Sequence, residues 1–401
     1  MFYNMFLCLH LIVLILLRIF NLSSHHKLKM NSIYVHFPFC RSRCLYCAFY
    51  SSLGRNNLHV PYVNALRQEL DSWKEWIVKN APVKTLYFGG GTPSSLDPYL
   101  ILDLVNHFRR TLGNVFLPDE ITLEVNPEDV NEHNVKIWKE TGFTRFSMGV
   151  QSMIPEELHA IGRRHSPQMV MNAASLLKNY GDLSLDLICG LPLQTIDSFS
   201  FSLKTLLGLE PQHISVYMLE LEGDSALSRL VDSGKYNVPD EGKVSAMYLH
   251  LCSVLADTGY QHYEISNFAM PGKHSRHNSA YWDSTSYIGL GPSASGYPAY
   301  NCRYTNSPDL DSYVKNGPNI IKENLSQYDL RVEYILTRLR TMKGIDCAEF
   351  LNLFGEKELS ILNQNAKQWI EEGLLEFSNE HLRLSSPKAC LISDAIMTSL
   401  I

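Results

Sequence analysis

The chain has 401 residues, 45% hydrophobic and 19% charged, the balance of a folded globular protein and not of a disordered or fibrous one. A formal net charge of −6, with no block of five like charges, argues against nucleic acid as a partner. Six of the nine cysteines (Cys8, Cys189, Cys252, Cys302, Cys347, Cys390) are scattered, so the expected setting is reducing and cytoplasmic, without a disulfide framework. The first element in the chain is the apolar run FLCLHLIVLILLRIF, Phe6 to Phe20. His10 and Arg18 interrupt it, it is short for a membrane span, and no basic region precedes it as a secretory signal would require. Residues 1–29 are read as an apolar leader (a membrane-anchoring or targeting segment, so membrane contact stays open) or as sequence upstream of a true start at Met30.

From Ser32, short β-rich runs alternate with helical patterns. SIYVHF (Ser32 to Phe37) reads as a strand, and VPYVNALRQELDSWKEWI (Val60 to Ile77) as a helix with apolar residues every three or four positions. VKTLYF (Val83 to Phe88), EITLEV (Glu120 to Val125), TRFSMGV (Thr144 to Val150), LSLDLI (Leu183 to Ile188) and HISVYML (His213 to Leu219) are further strands. Helices are expected near 97–112, 131–141, up to about Tyr180, and near 196–209 and 240–258. Six such repeats imply parallel strands with right-handed crossovers, so the class is α/β; a doubly wound sheet and a curved, incomplete barrel both fit. Residues 266–327, rich in Gly, Ser, Pro and aromatics, read as a long ordered connection. Residues 328–401 read as a smaller, mostly helical C-terminal domain of winged-helix-like form, with a turn at Gly373 and a small hairpin.

In either α/β architecture, ligands gather at the carboxyl ends of the strands. Five unusual features fall there: the cysteine loop FPFCRSRCLYCAFY (Phe37 to Tyr50) after the first strand, GGGTP (Gly89 to Pro93) after the second, Glu124 closing the third, Gln151 after the fourth, and Asp186 late in the fifth. Cys40, Cys44 and Cys47, spaced C-x-x-x-C-x-x-C, suit an iron–sulfur cube with one open iron, or a zinc ion if His36 or a distant residue supplies a fourth ligand. The glycines are either a tight turn or a place where backbone approaches a ligand closely. Glu124, flanked by Leu and Val, suits an acceptor for ribose hydroxyls or a ligand amine; taken alone, Gln151, Arg163 and Asp186 could be ordinary core or surface polar groups.

The cysteine loop, with aromatic Tyr46 before its third cysteine, resembles the cluster motif of the radical S-adenosylmethionine (SAM) superfamily. The resemblance implies a [4Fe-4S] cluster on Cys40, Cys44 and Cys47 whose open iron is chelated by SAM, and electron transfer that yields a 5′-deoxyadenosyl radical. It implies an incomplete (β/α)6 barrel over residues 30–265. GGGTP resembles the SAM-binding GGE-type motif through Gly90, Gly91 and Thr92, although the acidic residue of that motif is absent. Together with Tyr34, Glu124, Gln151, Arg163 and Asp186, these residues resemble the SAM site of the oxygen-independent coproporphyrinogen oxidase family and its HemW-type relatives, from about Ser32 to the C-terminus.

Two readings separate within that family: a HemW-type heme chaperone, or an oxidase that decarboxylates two propionates of coproporphyrinogen III. Phe49 stands where the oxidase pattern has a further cysteine, the chain lacks the oxidase's longer polar N-terminal extension, and HNSAYW (His277 to Trp282) fits the H-N-x-x-Y-W signature of the HemW type. The resemblance then implies heme as ligand, hemoproteins (respiratory ones among them) as recipients, and an electron donor such as flavodoxin or ferredoxin. His277 is the expected axial heme ligand, with Tyr281 and Trp282 lining the macrocycle; the alternative is a hydrogen-bonded His–Asn turn that stabilises the connection. His274 has no evident role.

Overall fold

The computed structural model describes residues 32–221 and 225–401, so the apolar leader lies outside the described residues. Among the described residues no helix is long and apolar enough to cross a membrane. Six strands, β1 (Ser32–Phe37), β2 (Val83–Gly90), β3 (Phe116–Val125), β4 (Arg145–Gln151), β5 (Asp182–Cys189) and β6 (His213–Met218), pair in parallel, each with the next in chain order. The helices α1 (His59–Asn80), α2 (Pro98–Leu112), α3 (Glu132–Thr141), α4 (Pro167–Leu177) and α5 (Ile196–Leu207) make the crossovers, and α6 (Glu241–Asp257) follows β6. This is the expected partial barrel.

Each helix forms for local reasons. In α1 the buried residues Tyr62, Val63, Leu66, Leu70 and Ile77 recur at helical spacing. In α2 the Asp97 side chain accepts from the Tyr99 N–H at 2.9 Å, and Pro98 occupies the first position, where its missing N–H costs nothing. A capping box between Thr195 and Ser198 starts α5.

The strands alternate in character, unlike the uniformly apolar strands usual in parallel sheets. Ile33, Val35, Phe37, Leu86, Phe88, Leu123, Phe146, Met148, Leu185, Leu187, Ile214 and Val216 form the buried apolar core under the helices. The other positions, one residue out of phase and so on the opposite face, carry Ser32, Tyr34, Thr85, Tyr87, Thr122, Glu124, Ser147, Ser184, Asp186, His213 and Ser215. The barrel interior is therefore polar, and its charged members have little water to solvate them.

Residues 266–327 contain strands, which the expectation of a connection did not include, and with Gln261–Glu264 they extend the sheet on both sides. The hairpin β7 (Gln261–Glu264) and β8 (Asn267–Ala269) adds antiparallel to β6. The helix α7 (Arg276–Trp282) follows, and β9 (Tyr287–Leu290) pairs in parallel with β1. Strands β10 (Ser295–Ala299), β11 (Cys302–Asn306) and β12 (Ile320–Asn324) then extend that edge antiparallel. The expected connection is thus part of a twelve-stranded sheet. Its Gly, Ser and Pro content hides strands that form by backbone pairing at a pre-existing edge.

The C-terminal part contains α8 (Gln327–Leu339), β13 (Ile345–Asp346), α9 (Cys347–Phe354), α10 (Glu356–Glu371), β14 (Leu375–Ser378) and β15 (His381–Leu384). The strands order β13-β15-β14, which gives the helix–helix–hairpin arrangement of a winged helix.

One buried carboxylate ties the added edge to the barrel. Glu69 on α1 accepts from Gly291 N–H and Asn306 Nδ2 at 2.8 Å each, and from the Tyr313 hydroxyl at 2.5 Å. Burial pushes its carboxyl above the usual range, and the three donors oppose that shift. Glu69→Ala leaves three buried donors without an acceptor. It is expected to lower unfolding stability by roughly 2–4 kcal/mol, with Glu69→Gln intermediate, read from the midpoint of urea unfolding.

Candidate functional site

A cavity of about 560 Å³ opens at the carboxyl ends of β1 to β6. Cys40, Cys44, Cys47, Tyr46, Gly90, Gly91, Thr92, Glu124, Gln151, Arg163 and Asp186 all line it, so eleven expected residues from six separate segments meet in one place. The two remaining expected residues do not line it. Tyr34 fills the interior below, its hydroxyl 3.1 Å from His36 Nδ1. His277 lies among the residues of the amino-terminal halves of β1 to β3 and is taken up below.

The cysteine loop is held by its neighbours. Gly91 N–H donates to Phe37 O and Thr92 N–H to Phe39 O, both at 2.7 Å, so the glycine run is laced to the chain leading into Cys40. A β-carbon on Gly91 would lie 2.7 Å from Phe37 O, 2.8 Å from Phe39 O and 3.1 Å from Cys40 Sγ. Gly90 has φ +105°, and a β-carbon there would strike the His36 ring. The close approach foreseen for the glycines is thus made first to the cysteine loop itself. On the far side, Leu45 N–H donates to Ile161 O at 3.0 Å, and Leu45 and Tyr46 pack against Ile161, Ile188, Leu191 and Leu227.

The thiols meet donors. Thr92 Oγ1 donates to Cys40 Sγ at 3.5 Å and Arg163 Nη1 to Cys44 Sγ at 3.6 Å. Arg163 is also fixed through Nη2, to Asn126 Oδ1 at 3.0 Å and Gly149 O at 2.5 Å. Burial pushes the Cys40 and Cys47 thiols up; a positive group among three such sulfurs favours their ionised, metal-binding form. Among the described residues no three His, Cys, Asp or Glu side chains converge on one metal-ion position. The three thiols share the lining with the Thr92 and Arg163 groups that donate to the Cys40 and Cys44 sulfurs.

Two half-buried carboxylates also line the cavity. Glu124 accepts from the Tyr87 hydroxyl at 2.7 Å and from Gly90 N–H at 3.0 Å. Burial pushes its carboxyl up to about 7 and the Asp186 charge adds to the rise, while the two donors oppose it. Asp186 accepts from Ser147 Oγ at 3.2 Å; burial raises its carboxyl too, against the donors Ser215, Ser147 and Ser184 and the charge of Arg145. Gln151 sits at a β-bulge between β4 and β5 with φ +68°, a left-handed conformation that is unfavourable for a side chain and turns the amide into the cavity. Phe49, 67% exposed, lies at the mouth of the cavity. The lining offers three thiols, two carboxylate acceptors and backbone polar groups, which suits a ligand with amine and hydroxyl donors.

His277 requires a correction. It is 1% exposed, with Nδ1 2.8 Å from Thr85 Oγ1 and Nε2 2.8 Å from the Tyr281 hydroxyl. Glu120 accepts from the backbone N–H groups of Arg276 and His277 at the start of α7. Burial, with Arg145 nearby, lowers the imidazole to about 3, so it is neutral, but neither ring nitrogen is free for iron. Nor is it the expected His–Asn turn: the ring is a plug in the core, hydrogen-bonded to Thr85 and Tyr281. His274, exposed, stacks on Tyr263 at 4.3 Å.

Sequence reasoning missed Tyr87, Asn126 and Ser147. Each had a signal: they lie two residues before Gly89, two after Glu124 and two before Gly149, in phase with the inward face of a strand.

Gly91→Ala is expected to displace Cys40 and to lower iron and sulfide retained per chain after anaerobic reconstitution several-fold, with the helical circular-dichroism signal unchanged. Chemical iron and sulfide assays check it.

Comparison with known proteins agrees with this geometry. The family model for the radical SAM superfamily matches residues 34–206, and that for the HemN C-terminal domain matches residues 325–387. The chain is similar to heme chaperone HemW of Lactococcus lactis subsp. lactis (strain IL1403), 34% identical over 84% of this chain and 90% of the relative. It is likewise similar to heme chaperone HemW of Bacillus subtilis (strain 168), 32% identical over 89% of this chain and 95% of the relative. Among solved structures, coproporphyrinogen III oxidase (HemN) of Escherichia coli shares the fold, with a TM-score of 0.78 and 22% identity over 94% of this chain and 91% of that one. With three thiols and two half-buried carboxylates gathered at the strand ends, and with relatives that match most of its length, the chain belongs to the radical SAM superfamily, in the HemW-type branch of the oxygen-independent coproporphyrinogen oxidase-like family.

Proposed function

We propose that this chain is a heme chaperone: it binds heme, delivers it to hemoproteins, and carries a [4Fe-4S] cluster and SAM in the cavity at the strand ends. The observation that carries the reading is the cavity, with Cys40, Cys44, Cys47, Glu124 and Asp186 in one lining, in a chain whose relatives bear the heme chaperone name.

The residues present fit the two groups. Cys40, Cys44 and Cys47 would hold the cluster, and the Arg163 guanidinium and Thr92 hydroxyl would donate to its sulfur ligands. Gly90, Gly91 and Thr92 offer backbone to the methionine end of SAM, and Glu124, Gln151 and Asp186 offer acceptors for its amine and ribose hydroxyls. When bound, cluster and SAM together supply one-electron chemistry at the sulfonium. The protein's part is to orient SAM by these acceptors and to shield the inner face of the site with Tyr46, packed on Ile161 and Ile188. Reduction would come from a small electron-transfer protein such as flavodoxin or ferredoxin, from the mouth, where Arg43 and Arg164 are exposed. Phe49 leaves the position of a fourth nearby cysteine apolar, which favours the carrier over the oxidase.

The test is one anaerobic preparation with reconstituted iron and sulfide. Heme titration is expected to give a Soret band at one heme per chain. Addition of coproporphyrinogen III, SAM and reductant is expected to give no protoporphyrinogen. Conversion of the porphyrinogen would overturn the chaperone assignment, and a preparation that takes up zinc but no sulfide would overturn the cluster. Because His277 is a core residue, His277→Ala is expected to lower thermal stability and not to abolish heme binding selectively.

A further inference from the structure

The HNSAYW segment does not line the cavity, yet through Tyr87 it reaches Glu124, which does. The His277 ring stacks on the Tyr87 ring, with centroids 4.9 Å apart and planes 26° apart. Thr85 and Tyr281 fix both nitrogens of that imidazole, and Glu120 caps the helix that carries it. The Tyr34 ring packs 6.0 Å from Tyr87 on another side. Tyr87 is thereby clamped, and its hydroxyl donates to Glu124 Oε1.

We propose that Tyr87 is a positioning residue for the cavity: clamped from below by the His277 plug, it holds the Glu124 carboxylate in place and charged, so that its remaining acceptor sites face the bound ligand. The inference rests on the reading that the cavity binds SAM.

The electrostatic surroundings make one donor matter. The side chains facing Glu124 are Asp186 on β5, Tyr34 on β1, Tyr217 on β6, Tyr281 on α7 and Tyr87 itself, all acids. Asp186 raises the Glu124 carboxyl; of the direct donors, only the Tyr87 hydroxyl and Gly90 N–H favour its charge. The Arg145 cation acts on Tyr87 and Asp186. A group poised at about 7 is sensitive to the loss of a single donor. Gly89 follows from the same contact: a β-carbon there would lie 2.7 Å from the Tyr87 ring and 2.9 Å from Glu124 Oε1.

The experiment measures SAM affinity of the reconstituted protein against pH, for the wild type and for Tyr87→Phe, which keeps the ring and its stacking. A raised carboxyl binds as its anion above its pKa, so affinity falls as pH drops through about 7. Removing the hydroxyl donor raises the carboxyl further. The midpoint is expected to move up by about one pH unit, with about fivefold weaker binding at pH 7. Titration of SAM itself is common to both proteins and cancels in the difference. A variant that is weaker at every pH with an unmoved midpoint overturns the proposal. A wild type that binds no SAM overturns the SAM reading instead. Infrared difference spectra of each protein against its Glu124→Gln counterpart, without SAM, then decide the positioning role alone. An earlier loss of the carboxylate band in Tyr87→Phe supports it, and coincident titrations overturn it.

Discussion

The constraint on which the rest depends is the burial of charge inside an arc of parallel strands. Arg145 is buried, and Glu124, Asp186 and Arg163 are half-buried, so that burial acts against the charge of these side chains and each would be costly there without partners. The fold meets that cost through alternation. One face of every strand is apolar and packs under the helices, while the other brings Tyr, Ser, Thr and His into the interior as partners. The result is a cavity whose acceptors are already oriented and whose dielectric surroundings leave Glu124 poised near neutrality.

The second feature is mutual bracing. Gly91 and Thr92 lace the glycine turn to the cysteine loop, Arg163 ties that loop to Asn126 and Gly149, and Leu45 pairs with Ile161. Loops from successive strands therefore form one unit and not a set of independent ligand contacts. This explains why a turn with no acidic residue can still serve the site: its main duty here is to fix where Cys40 stands. It also explains why small residues cluster there, since a single β-carbon on Gly91 would meet two carbonyl oxygens and a thiol.

The base of the barrel carries the clearest revision. His277 reads, as a motif, like a ligand for iron; in the fold it is a plug whose two nitrogens are spent on Thr85 and Tyr281. The segment that holds it was expected to be a long ordered connection, and in the fold it lends strands to both sides of the sheet. In this chain the His277 ring is thus a part of the core and not of the cavity, while Phe49 lies in the cavity lining.

The sequence by itself determined the alternation of strands and helices, the helix limits to within a few residues, the cysteine spacing, and the five features at strand ends. All of these are local: they depend on periodicity, capping and ligand chemistry within a few neighbouring residues. Only the tertiary structure decided that Tyr87, Asn126 and Ser147 belong to the site, that β9 to β12 extend the sheet, and that His277 is core. Those facts depend on strand register and on which faces meet across the barrel, as when Glu124 meets Tyr87 from an adjacent strand or His277 meets Thr85 across 192 positions of chain. A spacing of residues records what a loop can bind; what a buried ring touches is set by how distant segments close on one another.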